Sequence, residues 1–224
     1  TACCNLGIAY WRLHQTEPAV TYLQKAGVLT VEDPRPYEFL AAVYRENQQW
    51  NEAWQALSQA YQRIPLSPRI LTSIATVDLH RRGPAAAIPW LRQALAIGPN
   101  YAPAVYNMGR VYRDWLNDST AARPYFDRFL KIAATDPRAE PLRRSLGETE
   151  SPVAVTPKAV PTERSGVSSP PAKSVNRDPA MAAETVKRGL MSYQKGEWDK
   201  AIAAFKHAIA SDPLMADAYY DLGL

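Results

Sequence analysis

Apolar positions in residues 35–65 fall into two sets, each with the spacing of a helix face. Tyr37, Leu40, Ala41 and Tyr44 recur at intervals of three and four, which puts them on one side of a helix. A polar stretch follows at residues 45–49. Trp50, Ala53, Leu57 and Ala60 then repeat the spacing, and Pro65 stops the second helix. The pattern predicts two amphipathic helices joined by a short turn. Two short helices enclose too little volume to bury their own apolar faces, so such a pair needs neighbours.

The neighbours are copies of the same unit. The small residue of the first helix recurs as Gly7, Ala41, Ala75 and Gly109, at one constant interval. The small residue of the second helix recurs at the same interval as Ala19, Ala53 and Ala87. Four further on stand Leu23, Leu57 and Leu91, and then Ala26, Ala60 and Ala94. Tyr10, Tyr44 and Tyr112 share another position, held by Asp78 in the third copy. Small residues at a helix crossing allow close approach, and a large side chain there would hold the helices apart. A helix-turn-helix unit of about 34 residues with this set of in-phase positions resembles the tetratricopeptide repeat family. The resemblance covers most of the chain outside one segment and implies an all-α, right-handed superhelix (an α-solenoid).

Taken in order, the first repeat has helices over residues 2–14 and 17–29, and the second repeat is the unit above. In the third, Leu71, Ile74, Ala75 and Leu79 form the first stripe, Gly83 and Pro84 the turn, and Ala87, Leu91, Ala94 and Leu95 the second stripe. In the fourth, Val105, Met108, Gly109 and Tyr112 lead to Ala122, Phe126 and Phe129. Those three lie one residue later than strict phase, which predicts one extra residue in the turn at 116–120. A short capping helix is expected within residues 136–146, because terminal repeats need a polar outer cover. The first array is therefore assigned to residues 1–146.

Residues 147–178 contain Pro152, Pro157, Pro161, Pro170 and Pro171 and no aromatic residue. Such a segment buries too little apolar surface to offset chain entropy, so it is expected to be a disordered linker. The distance along the chain from Gly109 to Gly189 is not a whole number of repeat intervals, so the phase breaks between them. A second array is assigned to residues 179–224, with one repeat carrying Gly189, Ala201, Phe205 and Ala208. Gly223 lies one repeat interval after Gly189 and marks a truncated next copy. The chain opens inside one helix and closes inside another, without a starting Met, and so reads as a fragment of a longer protein.

Charge and chemistry narrow the function classes. A net charge of +4 and a pI near 9.0 are too mild to argue for nucleic acid. No apolar run approaches the roughly 20 residues of a transmembrane helix. Cys3 and Cys4 are adjacent, point about 100° apart on a helix and are expected to pack rather than bridge. His14, His80 and His207 are far apart, with no partner constellation. There is no HExxH, glycine-rich phosphate loop, nucleophile elbow or paired-carboxylate spacing. The expectation is a non-enzymatic protein with no cofactor and no metal.

The resemblance further implies a concave groove lined by the first helix of each repeat. The positions it turns inward are Cys4, Ile8, Trp11 and Arg12; Arg35, Glu38, Ala42 and Arg45; Arg69, Thr72, Thr76 and Leu79; and Tyr106, Arg110 and Arg113. Trp11, Arg12, Arg35, Arg45, Arg69, Tyr106, Arg110 and Arg113 are the candidate partner-binding residues. Arginine forks bind carboxylates bidentately, and aromatics anchor peptides. Glu38, Glu46 and Asp114 lie near the same track and partly neutralise it. One subclass of the family grips a C-terminal carboxylate with a lysine/asparagine clamp, and Cys4, Ile8, Ala42, Thr72 and Thr76 lack it. The expected function is a scaffold that binds a protein or an extended, acidic peptide segment. Two alternatives are a targeting region of a larger enzyme, such as a transferase, and a binder of anionic polymers.

Overall fold

The computed structural model describes residues 2–147 and 179–211, and none of them lies in a β-strand. The helices are α1 (Ala2–Arg12), α2 (Thr16–Leu29), α3 (Arg35–Glu46), α4 (Trp50–Arg63), α5 (Pro68–Arg82) and α6 (Pro84–Ile97). They continue as α7 (Ala102–Arg110), α8 (Ser119–Ile132), α9 (Ala139–Ser145), α10 (Pro179–Gln194) and α11 (Trp198–Ser211). Apart from Gly147, the linker expected at 147–178 lies outside the described residues, as does the truncated copy around Gly223.

Each hairpin turns through one residue with left-handed or extended positive-φ backbone. His14 (φ 57°), Gln48 (φ 59°) and Asn117 (φ 53°) hold this place, as do Gly83 (φ 87°) and Gly196 (φ 73°). At Gly83 the ψ of −178° is open in practice only to glycine. In the first two repeats the turn closes with Gln15 N–H donating to Tyr10 O and Gln49 N–H donating to Tyr44 O, both over five residues. The fourth repeat closes over six, with Asp118 N–H donating to Tyr112 O at 2.8 Å. The extra residue is not in the loop at 116–120, where phase alone would put it. It is wound into a π turn, Val111–Trp115, where Leu116 N–H donates to Val111 O at 3.1 Å. An i→i+5 turn absorbs one residue without unpairing the backbone, and α8 keeps its register on α7.

That register is set at the helix crossing. A Cβ placed on Gly109 would lie 2.6 Å from the Phe126 ring, and one on Gly189 would lie 2.6 Å from the Phe205 ring. Where the second helix carries Leu57 or Leu91 instead, the first helix accommodates Ala41 and Ala75, all four buried. Three positions beyond each crossing, a second pair of residues faces across the hairpin. Tyr10 stacks on Tyr22 with ring centroids 5.5 Å apart, and Tyr112 on Tyr125 at 5.7 Å. In the third repeat the pair is Asp78 and Trp90. The Trp90 Nε1–H donates to Asp78 Oδ2 at 3.0 Å, and Arg81 and Arg82 each reach the same carboxylate at 2.9 Å. Asp78 is fully buried. The departure from tyrosine is thus a polar substitute whose three donors satisfy the carboxylate, as a buried charge requires.

Two pairs of successive first helices touch, α1 with α3 and α5 with α7, whereas among the described residues no second helix packs comparably on the next second helix. The first helices therefore lie on the inside of the curve. Helix α9 covers the end of the fourth repeat through buried Ala139 and Leu142. Hairpin α10–α11 packs its second helix on α1. Val186, Ala201, Ile202, Phe205 and Ala208 join Ala2, Leu6 and Ala9 in one core cluster, and the Lys206 ammonium sits 5.4 Å from the Tyr10 ring centre. In space, this hairpin precedes the first repeat. Cys4 and Ile8 are consequently buried in that cluster, at 5% and 8% exposure, and do not line a groove as the resemblance implied. Cys3 and Cys4 are free and buried, and burial pushes the Cys4 thiol up to about 11.

Two substitutions test this packing. Ala53→Leu places a branched side chain at a fully buried crossing and should cost about 1–3 kcal/mol, with Glu52→Leu, on the exposed face, costing much less. Asp78→Ala strands Trp90 and two guanidiniums and should cost about 2–4 kcal/mol, and Asp78→Asn should cost less because it keeps the acceptor for Trp90. Urea unfolding monitored by circular dichroism reads both.

Candidate functional site

The inner face has two edges of different chemistry. Along the edge near the start of the first helices, the charges are paired. Asp33, only 5% exposed, receives Arg35 through Nε and Nη2 at 2.9–3.1 Å. Arg69 Nη2 reaches Glu38 at 2.9 Å across adjacent repeats. Burial raises the Glu38 carboxyl above its ordinary range, against the pull of Arg69. Arg138, paired with Asp136 at 2.7 Å, lies 4.7 Å over the Tyr106 ring. Tyr106 itself packs on Phe129 with centroids 4.9 Å apart. This edge is knit together, with its cations matched by carboxylates.

Near the ends of the first helices the arrangement is open and aromatic. Trp50, His80 and Trp115, from three successive repeats, form a ladder. His80 stacks on Trp50 with centroids 4.1 Å apart and 8° between planes, and meets Trp115 edge-on at 5.3 Å. Trp115 is 41% exposed. The π turn carries it, so the extra residue of the fourth repeat is part of what brings this ring to His80. Behind the ladder is a cleft of about 40 Å³, lined by Thr76, Leu79, His80, Asn107, Arg110 and Trp115 among others. Asn107 Nδ2 donates to Thr76 Oγ1 at 3.3 Å, which ties α7 to α5. Arg110 Nε donates to Asp114 Oδ2 at 3.0 Å and Arg113 Nε to Asp114 Oδ1 at 2.7 Å, which holds the Asp114 carboxyl below its ordinary range despite partial burial. The exposed Arg45 side chain has no ion-pair partner among the described residues. Partial burial, then Arg110 and Arg45, hold the His80 imidazole below its ordinary value.

Comparison with known proteins fits this architecture. The family model described as "TPR repeat" matches residues 189–224, and that described as "Tetratricopeptide repeat" matches residues 1–26. The chain thus carries tetratricopeptide repeats at residues 1–26 and 189–224. No curated protein sequence matches it. Among solved structures, the fold is similar to that of MamA protein (TM-score 0.51, 17% identity, covering 99% of this chain and 95% of that one). It is also similar to TTC0263, a thermophilic TPR protein of Thermus thermophilus (0.52, 16%, 94% and 90%). A third similarity is to a chain of the APC/C hetero-tetramer Cut9–Hcn1 (0.53, 19%), over 64% of this chain and 29% of that one.

The candidate partner-binding residues separate into groups. Arg35 and Arg69 belong to the paired edge, and Tyr106 is half-buried in the fourth hairpin. Trp11 donates from Nε1 to Glu46 of the next repeat and carries Arg12 at 5.4 Å from its ring centre. Arg45 and Arg110 flank the aromatic ladder, and Arg113 lies 4.7 Å from the Phe126 ring centre while sharing Asp114. The ladder itself and Asn107 were not identifiable from the sequence. Trp50 reads as the opening of a core stripe, and Trp115 comes into play only through the π turn.

His80 offers a direct check. Its imidazole should titrate with a midpoint below about 6.5 in an NMR pH series, and Arg110→Gln should move the midpoint up. Because the folded value is depressed, the unfolded chain takes the proton first. The associated stability is therefore present at neutral pH and lost as pH falls from about 6.5 through the lower folded midpoint.

Proposed function

We propose that this chain is a non-catalytic scaffold whose inner face binds an extended segment of a partner protein, anchored at the Trp50–His80–Trp115 ladder. The observation that carries this reading is the ladder itself: three repeats place aromatic rings on one strip, beside a guanidinium at Arg45 that no described residue pairs. Aromatic and arginine side chains at one spot are the usual carriers of binding energy in protein interfaces. A strip crossing three repeats suits an extended chain, which covers ~3.3 Å per residue and so touches successive repeats with a short segment. The paired edge supports the same assignment, because Asp33 and Glu38 cancel Arg35 and Arg69 and leave little net field for a polyanion. The Arg69–Glu38 pair there ties α5 to α3, and contact with a partner falls to the open edge.

The test uses a displayed library of random peptides about twelve residues long, which span ~40 Å when extended, selected on the full chain. Enriched peptides should lose about tenfold or more in affinity on Trp50→Ala or Trp115→Ala. They should change little on Arg92→Ala, an exposed arginine of the outer helix α6. Equal affinities for all three variants would remove the ladder from the binding face.

A further inference from the structure

The cleft beside the ladder is small and rich in donors. At about 40 Å³ it has room for the head of one short side chain, against the ~150 Å³ of a cavity that admits a benzene ring. Asn107 and Arg110 line it, and among the described residues Arg110 bonds Asp114 through Nε, which leaves its terminal nitrogens uncommitted. Neither ring nitrogen of His80 has a hydrogen-bond partner among the described residues. We propose that this cleft takes the carboxylate of an aspartate or glutamate in the partner segment, with His80 protonated in the complex. The inference rests on the inner face being the binding face and names the chemistry of its anchor.

The charges around His80 agree in sign. From α3 come Arg45 and, next to it, Glu46, which is already engaged by Trp11 and lies 3.8 Å from His14. From α7 and its π turn come Arg110, Arg113 and the one carboxylate they share, Asp114. On α5 itself, Asp78 is buried and satisfied by Arg81, Arg82 and Trp90. Helix α4 contributes the Trp50 ring and the neutral Asn51, which accepts from Arg81. Cations therefore outnumber unengaged carboxylates around the cleft. In the free protein partial burial and then the guanidiniums of Arg110 and Arg45 hold the His80 imidazole below its ordinary value. A carboxylate beside it reverses the balance and draws a proton from solvent onto the ring. Affinity must then rise as pH falls through the histidine range, while the ligand carboxylate stays ionised down to about pH 4.3.

The experiment repeats the peptide selection on the full chain at about pH 5.5 and about pH 7.5, on either side of the ordinary histidine value. The expected result is enrichment of Asp or Glu at one fixed place in the peptides. Binding should be at least about fivefold tighter at the lower pH, since uptake of one proton changes affinity by up to about tenfold per pH unit. His80→Gln, which keeps a polar side chain but cannot titrate, should abolish that ratio with helicity unchanged by circular dichroism. Peptides that need Trp50 and Trp115 but show no acidic preference, or keep the pH ratio in His80→Gln, would overturn this inference and leave the groove reading standing. Peptides indifferent to Trp50→Ala and Trp115→Ala, or a selection that enriches nothing, would overturn both.

Discussion

Every described hairpin closes where a residue with little or no side chain on one helix meets an apolar side chain on the other. Close packing is enforced there by distance: the Phe126 and Phe205 rings occupy the space that a Cβ on Gly109 or Gly189 would need. The crossing fixes the angle of each hairpin, and the hairpin fixes which face of its first helix is left for the next repeat. Because α1 touches α3 and α5 touches α7 while no second helix packs comparably on the next among the described residues, that repeated choice bends the stack and forms an inner face.

Once the crossing is satisfied, neighbouring positions are free to differ. The pair three residues beyond it is tyrosine on tyrosine in the first and fourth hairpins and aspartate on tryptophan in the third. Both solutions fill the same gap. The tyrosines do so by stacking, and the aspartate does so by accepting from an indole and two guanidiniums. A buried carboxylate in an apolar hairpin is tolerable only with such a complete set of donors.

The inner face divides its labour in the same physical terms. Arg35 and Arg69 face carboxylates that are themselves largely desolvated; the Arg35–Asp33 pair is local, and the Arg69–Glu38 pair ties α5 to α3. At the other edge, one added residue, wound into a π turn, swings Trp115 toward His80 and completes a ladder that begins at Trp50. Local irregularity in an otherwise periodic helix often accompanies a functional surface. Here it supplies the cleft with one wall.

The sequence by itself determined the all-α class, the repeat length and the crossing residues, and an inner face followed only from the family resemblance. Periodicity is a local property of the chain, and Gly7, Ala41, Ala75 and Gly109 display it without any need for long-range contacts. Tertiary structure alone decided which arginines are paired, that Cys4 and Ile8 are covered by a core shared with α11, and that the extra residue of the fourth repeat sits in the helix. It also decided that Trp50, His80 and Trp115 meet. Their separations along the chain are unequal and match no single period. Side chains from different repeats come together through the curvature of the stack and the twist of one turn, and neither quantity is written in the spacing of any one helix.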